Sequence, residues 1–164
     1  MLEEFPGFLS QPLNLDGDWE EKVETLYNKI FLYDFDEVGC FLEGKQIFFH
    51  RAKQSDGKAD LFWHLITRTN NKASGERIPD FARAKRLHWI RPIIENSLHP
   101  DVLMWDYLEA NGRIHRYLWL HRFDYVVILG YGRNKDCFFL VTAFYVEKYK
   151  KRDLERRFKK RINK

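Results

Sequence analysis

Apolar and polar positions along the chain predict a succession of strands and helices, and the clearest segment is 123–147. There, two runs rich in β-branched and aromatic residues flank a polar loop at 130–136. This pattern is typical of a β-hairpin. Because both runs are almost wholly apolar rather than alternating, we expect both faces of the hairpin to be covered.

Shorter apolar runs predict the other strands of the sheet. They are separated by turn residues such as Gly44, the segment 70–75 and the pair Asn111-Gly112. The predicted strands comprise residues 38–42, 46–49, 60–67, 102–107 and 114–121.

Apolar residues at helical spacing predict three helices, at 19–31, at 79–96 and from about residue 147 onward. Asp16 or Asp18 could cap the first helix, and Pro92 should kink or break the second near Arg91. With no repeat and no linker, the chain is predicted to be one α+β domain, a mainly antiparallel sheet with helices packed against it. Its parts are an N-terminal arm and helix (1–36), a sheet core with the helix at 79–96 (37–147) and a basic C-terminal helix (148–164).

Chain length and cysteine content narrow the class of protein. At 164 residues the chain can form one domain with a sizeable core. Cys40 and Cys137 form no CxxC motif, which favours a reduced compartment. The acidic N-terminus lacks the features of a signal peptide, and the longest apolar run, at 137–146, is far shorter than the roughly 20 residues that span a bilayer. We therefore expect a soluble, cytoplasmic protein with no membrane partner.

Charge is unevenly distributed along the chain. Residues 148–164 hold ten Lys and Arg against two acidic residues, whereas the rest of this +4 chain is net negative. The asymmetry predicts a polyanion-binding surface in the C-terminal part, with Lys150, Lys151 and Arg152 as RNA contacts. A solvated terminal helix explains the same residues. The acidic N-terminal helix could also be a docking surface for a partner or for the chain's own basic segment.

His64 and Arg68 are the first candidates for chemistry. If 60–67 is a strand, alternation places both side chains on one side of it. A titratable base beside a fixed cation suits attack by a ribose 2′-hydroxyl, because the cation stabilises the charge on the pentacoordinate phosphorus. A partly buried histidine bound to backbone is the structural alternative.

The second candidates are hydroxyl groups and arginines. Thr142 could orient a phosphate oxygen, and Tyr145 could donate a proton or stack on a base. Their spacing of three places them on opposite faces of a regular strand unless a bulge intervenes, and plain packing explains them as well. Arg83 and Arg86, three residues apart on the predicted helix, could grip a phosphate backbone or lie on a solvated helix face.

Several classes of enzyme are disfavoured. The chain has no HExxH and no cysteine–histidine pattern with zinc spacing, so we expect no metal site. It also lacks GxGxxG after a strand, GxxxxGK[ST] and GxSxG, which disfavours nucleotide-cofactor enzymes and serine hydrolases. We therefore expect no cofactor.

Several segments together resemble a known family. The runs LFWHLITR, ERIPDFARAKRLHWIRPIIEN, YVVIL and FLVTAFYV, followed by a basic helix, resemble the phage-associated branch of the barnase–EndoU–colicin–RelE-like superfamily over residues 61–157. Members are small, metal-independent ribonucleases found as toxins and in mobile elements. The resemblance implies an α+β fold whose sheet carries the active site. This chain departs from the pattern at Arg68, where a small residue often follows the threonine.

The resemblance also implies roles for individual residues. His64 would be the catalytic base or acid, and Thr142 and Tyr145 would lie at the cleavage site. The arginines that would hold or polarise the phosphate are Arg68, Arg83 and Arg86. The predicted function is a metal-independent endoribonuclease of phage or mobile-element toxin type, with RNA and a possible protein inhibitor as partners. The alternative is a noncatalytic RNA- or protein-binding module of a mobile element.

Overall fold

The computed structural model describes residues 4–162, and the first three and last two residues of the predicted arm and basic tail lie outside the described residues. Eight strands and five α-helices form this part of the chain. In order they are α1 (Trp19–Thr25), β1 (Phe41–Leu42), β2 (Lys45–Phe48), α2 (Asp60–Ile66), β3 (Thr67–Asn71), β4 (Glu76–Pro79), α3 (Phe81–Ala84), α4 (Ile90–Glu95), β5 (Val102–Leu108), β6 (Ile114–Leu120), β7 (Tyr125–Tyr131), β8 (Phe138–Tyr145) and α5 (Lys148–Lys159).

Six strands form one curled sheet in the order β1-β2-β8-β7-β6-β5. All neighbours are antiparallel except β2 and β8, which are parallel. Strands β3 and β4 form a separate antiparallel hairpin around the predicted turn at 70–75. The prediction of an α+β domain with a mainly antiparallel sheet is therefore confirmed.

Strands β7 and β8 confirm the predicted central hairpin. Ile128 pairs with Thr142, but the next residue of β7, Leu129, pairs with Leu140. Val141 is therefore the extra residue of a β-bulge, which bends β8 and breaks the strict alternation of its side chains.

Different helices cover the two faces of the sheet. On one face, Leu118 and Val127 belong to the main core, together with Phe62 of α2, Ile93 of α4 and the fully buried Trp89. Removing these apolar side chains from water is the main stabilising contribution to the fold. On this face, the hairpin of β7 and β8 is therefore covered along its whole length, as expected.

On the other face, cover is only partial. Trp105 stacks on Tyr117 with ring centroids 5.0 Å apart, and both pack with Trp119 beneath Leu154 and Phe158 of α5. Side chains alternate along a strand, so His115, two residues before Tyr117 in β6, lies on the same face of the sheet. It lies near the end of the sheet that α5 does not cover. That uncovered end of the sheet is where the cleft described below lies.

The prediction of a strand at 60–67 is wrong, because residues 60–66 form α2. Phe62, Leu65 and Ile66 are buried, which is helical spacing along one face. Their aromatic and branched neighbours gave the segment the composition of a strand. The strand β3 begins only at Thr67, where the backbone becomes extended.

The other predicted helices are present with different limits. The segment 79–96 is divided into α3, a 3₁₀ turn (Leu87–Trp89) and α4, and the break lies at Arg86 rather than at Arg91. Pro92 lies in the first turn of α4, where a backbone N–H has no helical partner and a proline is tolerated. Asp18 caps α1 as predicted, and π-helical turns extend that helix to Glu37.

In the described part of the basic C-terminal segment, the helix ends at Lys159. After α5 the chain turns towards the sheet, and the backbone N–H of Ile162 donates to the carbonyl of Asp106, 2.9 Å away. Between residues 4 and 162, every helix is too short or too polar to cross a lipid bilayer.

Candidate active site

A cleft of about 950 Å³ lies where the uncovered end of the sheet meets α2. Three histidines, two cations and one hydroxyl group are among the side chains that line it. These are His50, His64 and His115, Arg113 and Lys135, and Thr142. The cleft is open to solvent, and its lining combines apolar surface with these titratable and cationic groups, which suits a substrate that carries charge.

A glycine, Gly130, forms part of the floor of the cleft. His115 pairs with Gly130 and Gly130 with Phe139, so these residues form one row across β6, β7 and β8. A Cβ atom on Gly130 would lie 3.3 Å from Val141 Cγ2 and 3.7 Å from His115 Cδ2. The missing side chain therefore lets Val141 and His115 approach the backbone of Gly130 closely.

One wall of the cleft is α2, which presents His64 and Asp60. These residues are four apart, so they lie on the same side of the helix, and His64 Nε2 is 3.4 Å from Asp60 Oδ2. The His64 side chain is 45% exposed, so it is not sealed in the core. Partial burial, with the nearby positive charges of Arg77 and Arg83, lowers the pKa of His64, although Asp60 opposes the shift. The imidazole is therefore mainly neutral at pH 7 and can accept a proton.

Two arginines fix the end of α2 that carries His64. Arg83 Nη1 donates to the carbonyls of His64 and Thr67, each at 3.0 Å, and its Nε lies 3.3 Å from Asp80. Arg77 donates from Nε to the Thr67 hydroxyl at 2.9 Å and from Nη2 to the Thr67 carbonyl at 2.8 Å. Cations that bind the free carbonyls at a helix C-terminus stabilise that end, so Arg77 and Arg83 position His64.

His115 is the second histidine with a carboxylate partner. Its Nδ1 lies 3.5 Å from Glu109 Oε1, and both side chains are 17% exposed. Glu109 is held in turn by the Tyr117 hydroxyl and by Arg157, whose Nη1 lies 3.1 Å from Oε2. Burial and the hydrogen bond to Glu109 raise the pKa of Tyr117. A carboxylate fixed in this way orients the imidazole of His115 towards the cleft.

Tyr131 lines the cleft but is held by its own partners. Its hydroxyl donates to Asp106, 2.7 Å from Oδ2, and accepts from Arg116 Nη2 at 2.8 Å. Burial, with the hydrogen bond to Asp106, raises the pKa of Tyr131 to about 12. This phenol is therefore part of the wall rather than a proton donor.

A smaller concavity of about 390 Å³ adjoins the cleft and shares His115 and Val141 with it. Phe144 and Lys150 line this second space. The ammonium of Lys150 lies 5.4 Å and the guanidinium of Arg83 5.6 Å from the Phe144 ring. Two of the predicted phosphate-binding cations therefore contact the same ring, and one of them, Lys150, shares the concavity with His115.

The structure brings some of the predicted catalytic residues together and separates others. His64 and Thr142 line the same cleft, but Arg68 and Tyr145 do not. Arg68 is exposed on β3, whereas His64 lies on α2, so the two residues do not share a strand. Tyr145 lies at the far end of β8, where the guanidinium of Arg86 stacks over its ring at 4.7 Å.

The predicted RNA-binding cations also point in different directions. Arg86 donates to the carbonyl of Ala82 as well as stacking on Tyr145, so it supports packing. Lys151 pairs with Asp124 at 3.0 Å, and Arg152 is exposed on α5. Of the three C-terminal cations predicted as RNA contacts, Lys150 lines the concavity next to the cleft, whereas Lys151 and Arg152 do not.

Four groups in or beside the cleft were missed from the sequence. Asp60 and His64 have a spacing of four that is meaningful only on a helix, and the segment was interpreted as a strand. His115 follows the predicted Asn111-Gly112 turn, and Glu109 precedes it, so this pair could have been found from the hairpin register. His50 gave no comparable signal.

Within residues 4–162, no group of three or more His, Cys, Asp and Glu side chains is arranged to hold a metal ion. Comparisons with protein-family models, with curated protein sequences and with solved structures each found no match. The resemblance to the barnase–EndoU–colicin–RelE-like superfamily therefore stays a prediction.

Proposed function

We propose that this protein is a metal-independent endoribonuclease that cleaves RNA by attack of a ribose 2′-hydroxyl on the adjacent phosphate. The observation that carries the proposal is one open cleft with two imidazoles, each beside a carboxylate. These pairs are His64 with Asp60 and His115 with Glu109. Such a reaction needs one proton acceptor and one proton donor, and two oriented imidazoles supply both.

The proposed reaction proceeds without covalent attachment to the protein. His64, which is mainly neutral at pH 7, accepts the proton of the 2′-hydroxyl while that oxygen forms a bond to phosphorus. The bond from phosphorus to the 5′-oxygen breaks, and His115 gives a proton to the leaving oxygen. The products are a 2′,3′-cyclic phosphate and a free 5′-hydroxyl, so no water and no metal ion is consumed.

Nearby side chains can bind the phosphate and stabilise its negative charge. The Thr142 hydroxyl faces the same cleft and can donate to a phosphate oxygen. Lys150, which lines the smaller concavity together with His115, supplies positive charge where the phosphate becomes more negative. The resemblance stated above supports the same reaction and suggests a toxin of a phage or mobile element, with a protein inhibitor as a further partner.

Incubation of the purified protein with RNA in EDTA tests the proposal directly. We expect cleavage to products that end in a cyclic phosphate, and we expect His64→Ala to lose it while keeping the same far-UV spectrum and unfolding midpoint. Total cellular RNA, tRNA and ribosomes should each be offered, because toxin-type enzymes can require one structured target. Cleavage of none of them, or full cleavage by His64→Ala, contradicts the proposal.

A noncatalytic RNA-binding module is the second candidate, and one observation favours it. Arg68 and Tyr145, two of the four residues expected at the cleavage site, lie outside the cleft, whereas Lys150 and Arg83 still converge. Binding that weakens steeply with salt and does not change in His64→Ala, without any cleavage, would favour this function.

A further inference from the structure

We propose that Arg113 and Lys135 bind two backbone phosphates of the RNA strand on which His64 and His115 act. These two cations lie on two hairpin loops that line the cleft. The inference rests on the proposed function, because it names the groups that hold the strand beside the reacting phosphate. It places RNA contacts on the sheet, in addition to Lys150 of the C-terminal helix.

Strand register brings the two loops to the same end of the sheet. Arg113 lies in the turn between β5 and β6, and Lys135 lies in the loop between β7 and β8. His115, at the start of β6, pairs with Gly130, near the end of β7. Because neighbouring antiparallel strands run in opposite directions, the turn before β6 and the loop after β7 lie at the same end. Two cations that are distant in sequence are therefore presented on adjacent loops.

Local backbone geometry defines the conformation of both loops. Glu109 donates its backbone N–H to the carbonyl of Arg113 at 2.8 Å, and the N–H of Arg113 donates to Asn111 Oδ1 at 2.9 Å. In the other loop, Asn134 and Lys135 both adopt the left-handed conformation, with φ of 58° and 57°. That conformation is disfavoured for residues with a side chain, and such strain clusters where proteins bind ligands. The strain at Lys135 therefore agrees with a binding role for this loop.

Both cations are available to a phosphate. Arg113 and Lys135 are exposed, and between residues 4 and 162 neither forms a salt bridge. Arg116 and Arg157, by contrast, are each bound by carboxylates. A cation without a carboxylate partner holds mobile counterions instead, and a phosphate that binds there releases them.

Other charges in the cleft are compatible with a bound strand. Among residues 4–162, Asp60 is the one acidic residue that lines the cleft, and it lies beside His64. Lys150 adds a positive charge in the smaller concavity, and His115 lines both spaces. A strand that reaches both Lys150 and the two loop cations therefore passes the imidazole of His115.

The test is the salt dependence of binding to RNA that cannot be cut. A fluorescent ten-nucleotide strand with 2′-O-methyl groups is titrated with protein in EDTA, between about 50 and 300 mM KCl, and followed by anisotropy. One phosphate contact on a single strand contributes about 0.7 to the slope of log Kd against log salt concentration. Arg113→Gln and Lys135→Gln should each lower the slope by about 0.7, and the double variant by about 1.4. Each should also weaken the binding of strands of different sequence alike.

Two kinds of variant are the controls. Arg113→Lys and Lys135→Arg keep the charge and should keep the slope. Arg68→Gln and Arg152→Gln remove exposed cations that lie outside the cleft, so the slope should stay at the wild-type value. The unfolding midpoint of each variant is measured alongside, and at these exposed positions it should change little.

An unchanged slope in either Arg113→Gln or Lys135→Gln overturns the proposal. So does an equal decrease in Arg68→Gln and Arg152→Gln, or a wild type that binds no RNA. Failure of the ribonuclease proposal looks different, because unmodified RNA would then stay intact while the slope still depends on Arg113 and Lys135.

Discussion

Two groups of ionisable side chains in this protein have a similar composition and very different surroundings. The cleft contains His64, Asp60 and His115 in a space of about 950 Å³. A second group, around Asp34, lies in a pocket of about 260 Å³ between the π-helical turns and α4. Both combine histidine and carboxylate groups with nearby arginines, so composition alone does not tell them apart.

Their partners distinguish the two groups. Around Asp34 the charges are paired, since Arg91 lies 3.6 Å from Asp34 and 2.9 Å from Glu95. His88 binds the carbonyl of Gln11 at 3.0 Å through Nε2, and its Nδ1 is buried. In the cleft, the imidazole of His64 is nearly half exposed. A histidine bound to backbone stabilises the fold, whereas a half-exposed histidine in an open cleft can bind a substrate.

The largest expected effect is on RNA cleavage, and it should differ between the histidines of the cleft and the histidine near Asp34. His64→Gln and His115→Gln should each lower the kcat/KM of RNA cleavage by roughly 10²- to 10⁴-fold, because each removes one proton-transfer group. His88→Gln is the control, with an unchanged kcat and a lower unfolding midpoint. Equal losses of activity in all three variants would falsify the assignment of the cleft as the active site.

A smaller effect concerns stability around Asp34. Burial, only partly opposed by Arg91, raises the pKa of Asp34 from 3.8 to about 6. The folded state therefore binds a proton more tightly than the unfolded state, and this part of the stability is lost as the pH rises from about 4 through 6. Asp34→Asn cannot ionise, so its unfolding free energy relative to wild type should improve by about 2 kcal/mol between pH 4 and pH 7. Urea unfolding at both pH values measures the difference, and parallel curves for the two proteins argue against it.

A third effect is a shift in the titration of His64. Arg77 lowers the pKa of this imidazole and Asp60 raises it. Arg77→Gln should therefore raise the pKa and move the acidic limb of the kcat/KM profile to higher pH, whereas Asp60→Asn should move it to lower pH. Arg77→Lys keeps the charge and is the control. NMR titration of the His64 ring gives the same answer without turnover, and shifts in one common direction would contradict the arrangement.

The smallest expected effect is at Tyr145. Its ring supports the guanidinium of Arg86 at 4.7 Å and lies outside the cleft. Tyr145→Phe keeps the ring, so cleavage and stability should both stay within about twofold of wild type, whereas Tyr145→Ala should lower the unfolding midpoint. A large loss of kcat in Tyr145→Phe, at unchanged stability, would show that the Tyr145 hydroxyl takes part in the reaction.

The class of fold and its central hairpin could be predicted from the residue pattern alone. Apolar runs of strand length, rich in β-branched and aromatic residues and with a polar loop between them, favour a buried pair of strands, and β7 and β8 are these strands. Local composition was misleading at 60–66, because Phe62, Leu65 and Ile66 suit a strand or a helix equally well. The carbonyl contacts from Arg77 and Arg83, which are distant in sequence, help to stabilise the helical alternative.

The candidate site was predicted only in part, for a related reason. His64, Thr142, Arg83 and Lys150 were identified from residue type, and the first two share the cleft. His115 and His50 join them only in the folded chain, because strand order and register place β6 two strands from β8, with Gly130 of β7 between them. A site built across neighbouring strands depends on long-range pairing, which no local pattern of residues encodes.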